Sequence, residues 1–218
     1  MGEADTTYYR PRLPHYQPLY ATFFVTFRLA GSLPNQIIIQ LKEEHGLNCK
    51  NDLSIKDPEE KKRRQDEERK KYFGRFEEYL DRVATGPHWL TDERIAAIVS
   101  DAMHYRDEKV YELLAFCIMP NHVHVVFSVE RFAAVARRDS SRYIATDIVG
   151  NLKWYTAMEA NKILHRQGQF WQHESYDHVV RNGAELERII FYVLDNPVKA
   201  GFISDWKDWK WSYCKYEM

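Results

Sequence analysis

The run Phe116-Cys117-Ile118-Met119-Pro120-Asn121-His122-Val123-His124-Val125-Val126-Phe127 constrains the fold more than any other stretch. Pro120-Asn121 breaks an apolar sequence, because proline fixes φ and removes a donor. A strand over Tyr111 to Ile118, a short break, and a second strand from His122 to about Val129 are expected, most simply as antiparallel neighbours. Side chains alternate along a strand, so His122 and His124 share one face while Val123, Val125 and Phe127 share the other. Two imidazoles on one face suit a divalent metal. The same pattern also fits two hydrogen-bonded histidines on the polar side of a strand.

Other segments supply the partners such a hairpin needs. Tyr20 to Leu29 alternates Phe23, Val25 and Phe27 against Thr22, Phe24 and Thr26, a strand buried largely on both faces. Pro34 suits the first turn of a helix to about Glu44. Thr91 is expected to cap a helix to about Tyr105, with Ile95, Ile98, Val99, Ala102 and Met103 on one face. Helices are also expected over Asp147 to Leu164 and from Glu185 to Asp195, the last stopped by Pro197. Trp171 to Arg181 reads as extended, and Trp206, Trp209 and Trp211 as an irregular tail packed down on the core.

Ile55 to Lys71 is almost uninterrupted charge of both signs, as expected of a solvated helix, followed by an apolar stripe of Tyr72, Phe73, Phe76, Tyr79 and Leu80. The reading is one domain over 1–218 with a charged helical insertion at about 45–88. Strands and helices mix without strict βαβ alternation, which favours an α+β fold with an antiparallel sheet and helices mainly on one face. A net charge of −1 confines any attraction for a polyanion to a local surface. No apolar run approaches the ~20 residues of a membrane span. Met1 to Asp5 lacks the apolar core of a secretory signal, and Cys49, Cys117 and Cys214 have no metal-ligand spacing. A reducing, cytoplasmic compartment is expected.

Two tyrosines compete to serve the histidine pair. With about 100° per residue, Leu186, Ile189, Ile190, Val193 and Leu194 gather on one helix face. Tyr192 and Asn196, four residues apart, lie together at its edge. Tyrosines at such edges commonly only pack, and an Asn before Pro commonly only shapes a turn. Tyr155 falls among Ile148, Leu152 and Ile163, where core packing is the natural duty, although Glu159 one turn later could reach a metal.

Met119-Pro120-Asn121-His122-Val123-His124, Leu152-Lys153 with Thr156 and Asn161, Gly168-Gln169-Phe170-Trp171-Gln172, Tyr176-Asp177-His178 with Arg181, and Tyr192-x-x-x-Asn196-Pro197-Val198-Lys199-Ala200-Gly201, followed by Trp209 and Trp211-Ser212, together resemble the REP-associated branch of the single-tyrosine HUH transposases. The resemblance runs from the first strand to the C-terminus, interrupted by the charged insertion. It implies a ferredoxin-like domain that cuts and rejoins single-stranded DNA beside hairpins. It also implies His122, His124 and Asn196 as ligands of Mg²⁺ or Mn²⁺, with Tyr192 rather than Tyr155 as nucleophile. A 5′-phosphotyrosine link would conserve the bond energy for rejoining.

Arg10, Arg12, Arg28, Arg137, Arg138, Lys153, Lys162, Arg166 and Lys199 are the cations that could track phosphates. Trp171 or Tyr176 could stack unpaired bases. A single-stranded, hairpin-forming DNA is the expected partner, with no membrane and with a monomer favoured over a homodimer. The alternative is a domesticated protein that binds hairpins but no longer cuts. A histidine-triad nucleotidyl hydrolase fits poorly, since its next histidine would fall at Val126.

Overall fold

The computed structural model describes residues 8–9, 15–16, 18, 20–51, 57–82, 86–132 and 144–217. The chain divides into two compact units, one of 1–29 with 89–218 and the other of Ala30–His88.

The larger unit is built on a five-stranded antiparallel sheet. Its strands are β1 (Thr22–Arg28), β2 (Glu112–Ile118), β3 (His122–Ser128), β4 (Tyr176–Val180) and β5 (Ser212–Cys214), in the order β4-β1-β3-β2-β5. Two helices of this unit, α3 (Glu93–Arg106) and α4 (Ile144–Ile163), follow β1 and β3. The first four strands therefore have the ferredoxin-like β-α-β-β-α-β order, with β5 added at the β2 edge.

Alternation within the strands divides the sheet into two chemically different faces. Phe23, Val25 and Phe27 of β1, Val123, Val125 and Phe127 of β3, and Leu113, Phe116 and Ile118 of β2 meet Ile95, Val99 and Met103 of α3 and Ile148 and Leu152 of α4 in one buried cluster. A register shift between Leu113 and Ala115 lets both Leu113 and Phe116 face that cluster. The opposite face carries Phe24, Thr26, Arg28, His122 and His124, and helix α5 (Gly183–Lys199) packs there. Among the described helices of this unit, two thus cover the apolar face and one covers the histidine face.

Several local expectations are revised. Asp92, not Thr91, caps α3: its side chain accepts from the Arg94 backbone N–H, while Thr91 ends a 3-10 turn begun at Trp89. A carboxylate at the N-cap has the further advantage of the helix dipole. Helix α5 does not stop before Pro197 but runs through it to Lys199. Proline forfeits a single intrahelical bond, and near the C-terminus the Ala200 N–H still reaches Asn196 O and the Phe202 N–H reaches Pro197 O. The tryptophan-rich tail is not wholly irregular. Trp209 donates from Nε1 to Ile118 O, and Ser212–Cys214 pairs with β2 as an edge strand. Tyr155 does not lie in the stripe of α4, because Ala145, Val149, Thr156 and Ala160 shift the buried face past it. It is 40% exposed, with the Arg106 guanidinium 5.8 Å from its ring centroid.

The smaller unit contains α1 (Asn35–Asn51) and α2 (Pro58–Arg82), packed on one another. Helix α1 continues past the expected end near Glu44, tolerating Gly46 at a cost of about 1 kcal/mol. Much of the charge described on α2 is exposed, as at Glu59, Glu60, Arg63, Arg64 and Glu67, but Glu68 and Glu77 are buried, against the expectation of a fully solvated face; Arg75 pairs with Glu44 of α1. Gly86 has φ 113°, and a Cβ there would meet Gly31 O at 2.8 Å, so this return of the chain requires glycine.

Candidate functional site

Strand register brings the histidines together. Pro120 and Asn121 form the turn between β2 and β3, closed by the Met119 N–H donating to His122 O at 2.9 Å. The Leu29 N–H donates to Asn121 O at 2.8 Å, which ties that turn to the end of β1. His122 and His124 are buried, and their rings stand 4.7 Å apart at 82°. Their Nε2 atoms are 2.9 Å apart, and each Nδ1 has its own partner: Asn121 Oδ1 at 2.6 Å for His122 and Thr26 Oγ1 at 2.8 Å for His124. Two nitrogens bonded side by side to one cation at ~2.1 Å lie ~3 Å apart, so this donor set fits a divalent metal.

Aromatic rings fix the surroundings of His124. Phe24 stacks on it at 5.9 Å and 25°. Tyr192 stands edge-on to both, with ring centroids 5.8 Å from His124 and 6.0 Å from Phe24. Tyr192 belongs to α5, whose start is set by Asn182, which accepts from the Glu185 N–H, while Glu185 accepts from the Arg181 N–H. Ile190, Val193 and Leu194 are buried and Tyr192 is half-buried, so its ring packs at the edge of the stripe.

Lys199 lies two helical turns further, with Nζ 4.7 Å from the Tyr192 ring centroid and 3.3 Å from Asp195 Oδ2. Asn196 is buried in the same stripe, and its Nδ2 donates to Tyr192 O at 2.8 Å. Only its amide oxygen could therefore meet a cation. Tyr155 is on α4, against the opposite face of the sheet from the histidines.

The residues expected to contact DNA have different surroundings where they are described. Arg10, Arg12, Arg137 and Arg138 lie outside the described residues. Arg28 is buried on the histidine face in register with His122, rather than on an open surface. Lys162 is exposed and pairs with Glu159. Arg166 covers the Trp89 ring at 4.1 Å and donates to Asn161 Oδ1 and Gln169 O. Tyr176 is half-buried, edge-on to Phe24 at 6.2 Å. Trp171, expected to offer a stacking face, is instead buried against Phe27 and Phe170 and donates to Thr156 Oγ1.

Lys153 is engaged within the fold: its ammonium donates to Gln172 O, His173 O and Ser175 Oγ and so holds the segment leading into β4. Desolvation, assisted by the Arg28 charge, pulls its pKa down to about 8. The unfolded chain then binds more protons between pH 8 and ~10.4, so stability attributable to this lysine rises with pH across that window. Urea unfolding of wild type and Lys153→Met at pH 7.5 and pH 9.5 should show the wild type gaining about 2 kcal/mol over the variant at the higher pH.

Sequence spacing put the histidines on one strand face and Tyr192 at a helix edge, but did not show that Thr26 and Phe24 would contact His124. Their signal was the alternation of β1, which puts both on one face, but the pairing of β1 with β3 is not visible in either strand alone.

A family model described as "Transposase IS200 like" matches residues 87–196. A Haemophilus influenzae protein carrying the provisional name REP-associated tyrosine transposase is 30% identical over 104 residues, 47% of this chain. The chain spans 58% of the length of that relative. A solved structure of a REP-associated tyrosine transposase bound to a REP hairpin aligns with 94% of this chain and 81% of that one, at TM-score 0.47 and 15% identity. No helix among the described residues is long and apolar enough to cross a membrane.

Proposed function

The chain belongs to the IS200-like transposase family, and from that premise we propose that it cuts and rejoins single-stranded DNA beside hairpins through a tyrosine nucleophile. Tyr192 is the nucleophile in this reading, and His122, His124 and Asn196 would hold Mg²⁺ or Mn²⁺. The observation that carries it is the Tyr192 ring 5.8 Å from His124, whose Nε2 is 2.9 Å from that of His122.

The Tyr192 phenol loses its proton, and its oxygen forms a bond to phosphorus while the bond from phosphorus to the 3′-oxygen breaks. The products are a 5′-phosphotyrosine and a free 3′-hydroxyl, and attack by a 3′-hydroxyl on the same phosphorus restores the phenol. A divalent cation, when bound, supplies charge to offset that developing on the phosphoryl oxygens. Phe24 and His124 hold the tyrosine ring edge-on and limit where its oxygen can point. The Lys199 ammonium lies 4.7 Å from the centre of the same ring, a cation on the aromatic face.

The test incubates the full chain with labelled single-stranded hairpin oligonucleotides and Mg²⁺ or Mn²⁺. A protein–DNA adduct that survives denaturation and disappears with chelator is the expected result. Hairpin binding without adduct under every metal condition would support instead the reading of a binding protein that no longer cuts.

A further inference from the structure

We infer that Thr26, with Asn121, is a positioning residue that sets the tautomers of the two histidines so that both present Nε2 to a cation; this rests on the metal reading of the site above. An imidazole coordinates through a nitrogen that carries no proton, so the ligating atom is decided by where the other nitrogen places its own. Asn121 Oδ1 can only accept, so His122 carries its proton on Nδ1, 2.6 Å away. For His124 the corresponding partner is Thr26 Oγ1 at 2.8 Å. When the hydroxyl oxygen accepts, His124 Nδ1 is protonated and its Nε2 turns a lone pair toward His122 Nε2, 2.9 Å away.

The position of Thr26 supports a specific duty. Its neighbours Phe24, Val25 and Phe27 are apolar and buried, and Thr26 itself is 2% exposed. Cross-strand register makes it the direct partner of His124. Phe24 holds the His124 ring by stacking, and the Thr26 hydroxyl is the group that meets its Nδ1. Valine has nearly the same shape and an equal liking for a strand, so Thr26→Val removes the hydroxyl and little else.

Mn²⁺ binding to the full chain, followed through the paramagnetic resonance signal of the free ion, separates the outcomes. Thr26→Val should bind Mn²⁺ about 10- to 100-fold more weakly, while Thr26→Ser restores affinity to within about threefold. Metal-free thermal midpoints of both should stay within about 3 °C of wild type. In long-range proton–nitrogen spectra with Mg²⁺, His124 of the wild type should be protonated on Nδ1, and Thr26→Val should mix the tautomers. If Thr26→Val does not fold, Thr26→Ala against Thr26→Ser carries the same comparison. Equal Mn²⁺ affinity in Thr26→Val and wild type, with binding lost in His122→Ala, would overturn the role of Thr26 and leave the metal reading standing. Mn²⁺ affinity unaffected by His122→Ala would overturn both.

Discussion

Tyr192→Phe is expected to abolish the denaturation-resistant DNA adduct and to lower cleavage by ~10³-fold or more, while hairpin affinity stays within about threefold. The substitution removes one oxygen and keeps the ring. Contacts with Phe24 and His124 at 6.0 and 5.8 Å are ring contacts, so they persist. Tyr192 is half-buried, and the change in fold stability should be about 0.5 kcal/mol or less. Tyr155→Phe is the control, since Tyr155 is on α4 against the other face of the sheet and 40% exposed. Adduct formation gelled against both variants separates the two hydroxyls. An adduct retained by Tyr192→Phe and lost in Tyr155→Phe would transfer the nucleophile to α4.

Local patterns were readable wherever one element decides the outcome. Alternation in His122-Val123-His124 placed both imidazoles on one face, and the 100° step along α5 placed Tyr192 at the edge of its stripe. The partners of those residues depend on pairings that no single segment contains. Thr26 meets His124 because β1 and β3 run antiparallel with Thr26 opposite His124, a relation spanning 98 positions. Pro197 differs for another reason: a proline near a helix end costs one hydrogen bond, which burial of Val193, Leu194 and Pro197 itself offsets. Ile148, Leu152 and Ile163 alone put Tyr155 in the stripe of α4, but the small Ala145, Thr156 and Ala160, which carry little hydrophobic signal, turn the buried face away from it. Lys153 read as a surface cation because charge alone gives no sign of the three acceptors folded over it.

Trp171→Ala is expected to destabilise the larger unit by about 3–5 kcal/mol, read as a lower urea midpoint. An indole that stacked DNA bases would instead lose binding at unchanged stability, so this one variant distinguishes a core residue from a DNA contact. The cost has identifiable parts. The ring is 4% exposed and meets Phe27 edge-on at 4.8 Å and Phe170 at 4.9 Å, so truncation leaves a cavity beneath β1. Its Nε1–H donates to Thr156 Oγ1 at 2.9 Å, and Thr156 in turn donates to Leu152 O at 2.8 Å. Trp171→Phe isolates the aromatic contribution: it keeps most of the packing, loses only the donor to Thr156, and should cost about 1–2 kcal/mol. Because Trp171 also bridges to Leu29, and the Leu29 N–H holds Asn121 O, a loosened Trp171 acts on the turn that carries His122. Trp171→Ala should therefore weaken Mn²⁺ binding as a consequence of lost order at that turn, whereas Trp171→Phe, which keeps most of the ring packing beneath the bridge, should bind the ion as the wild type does.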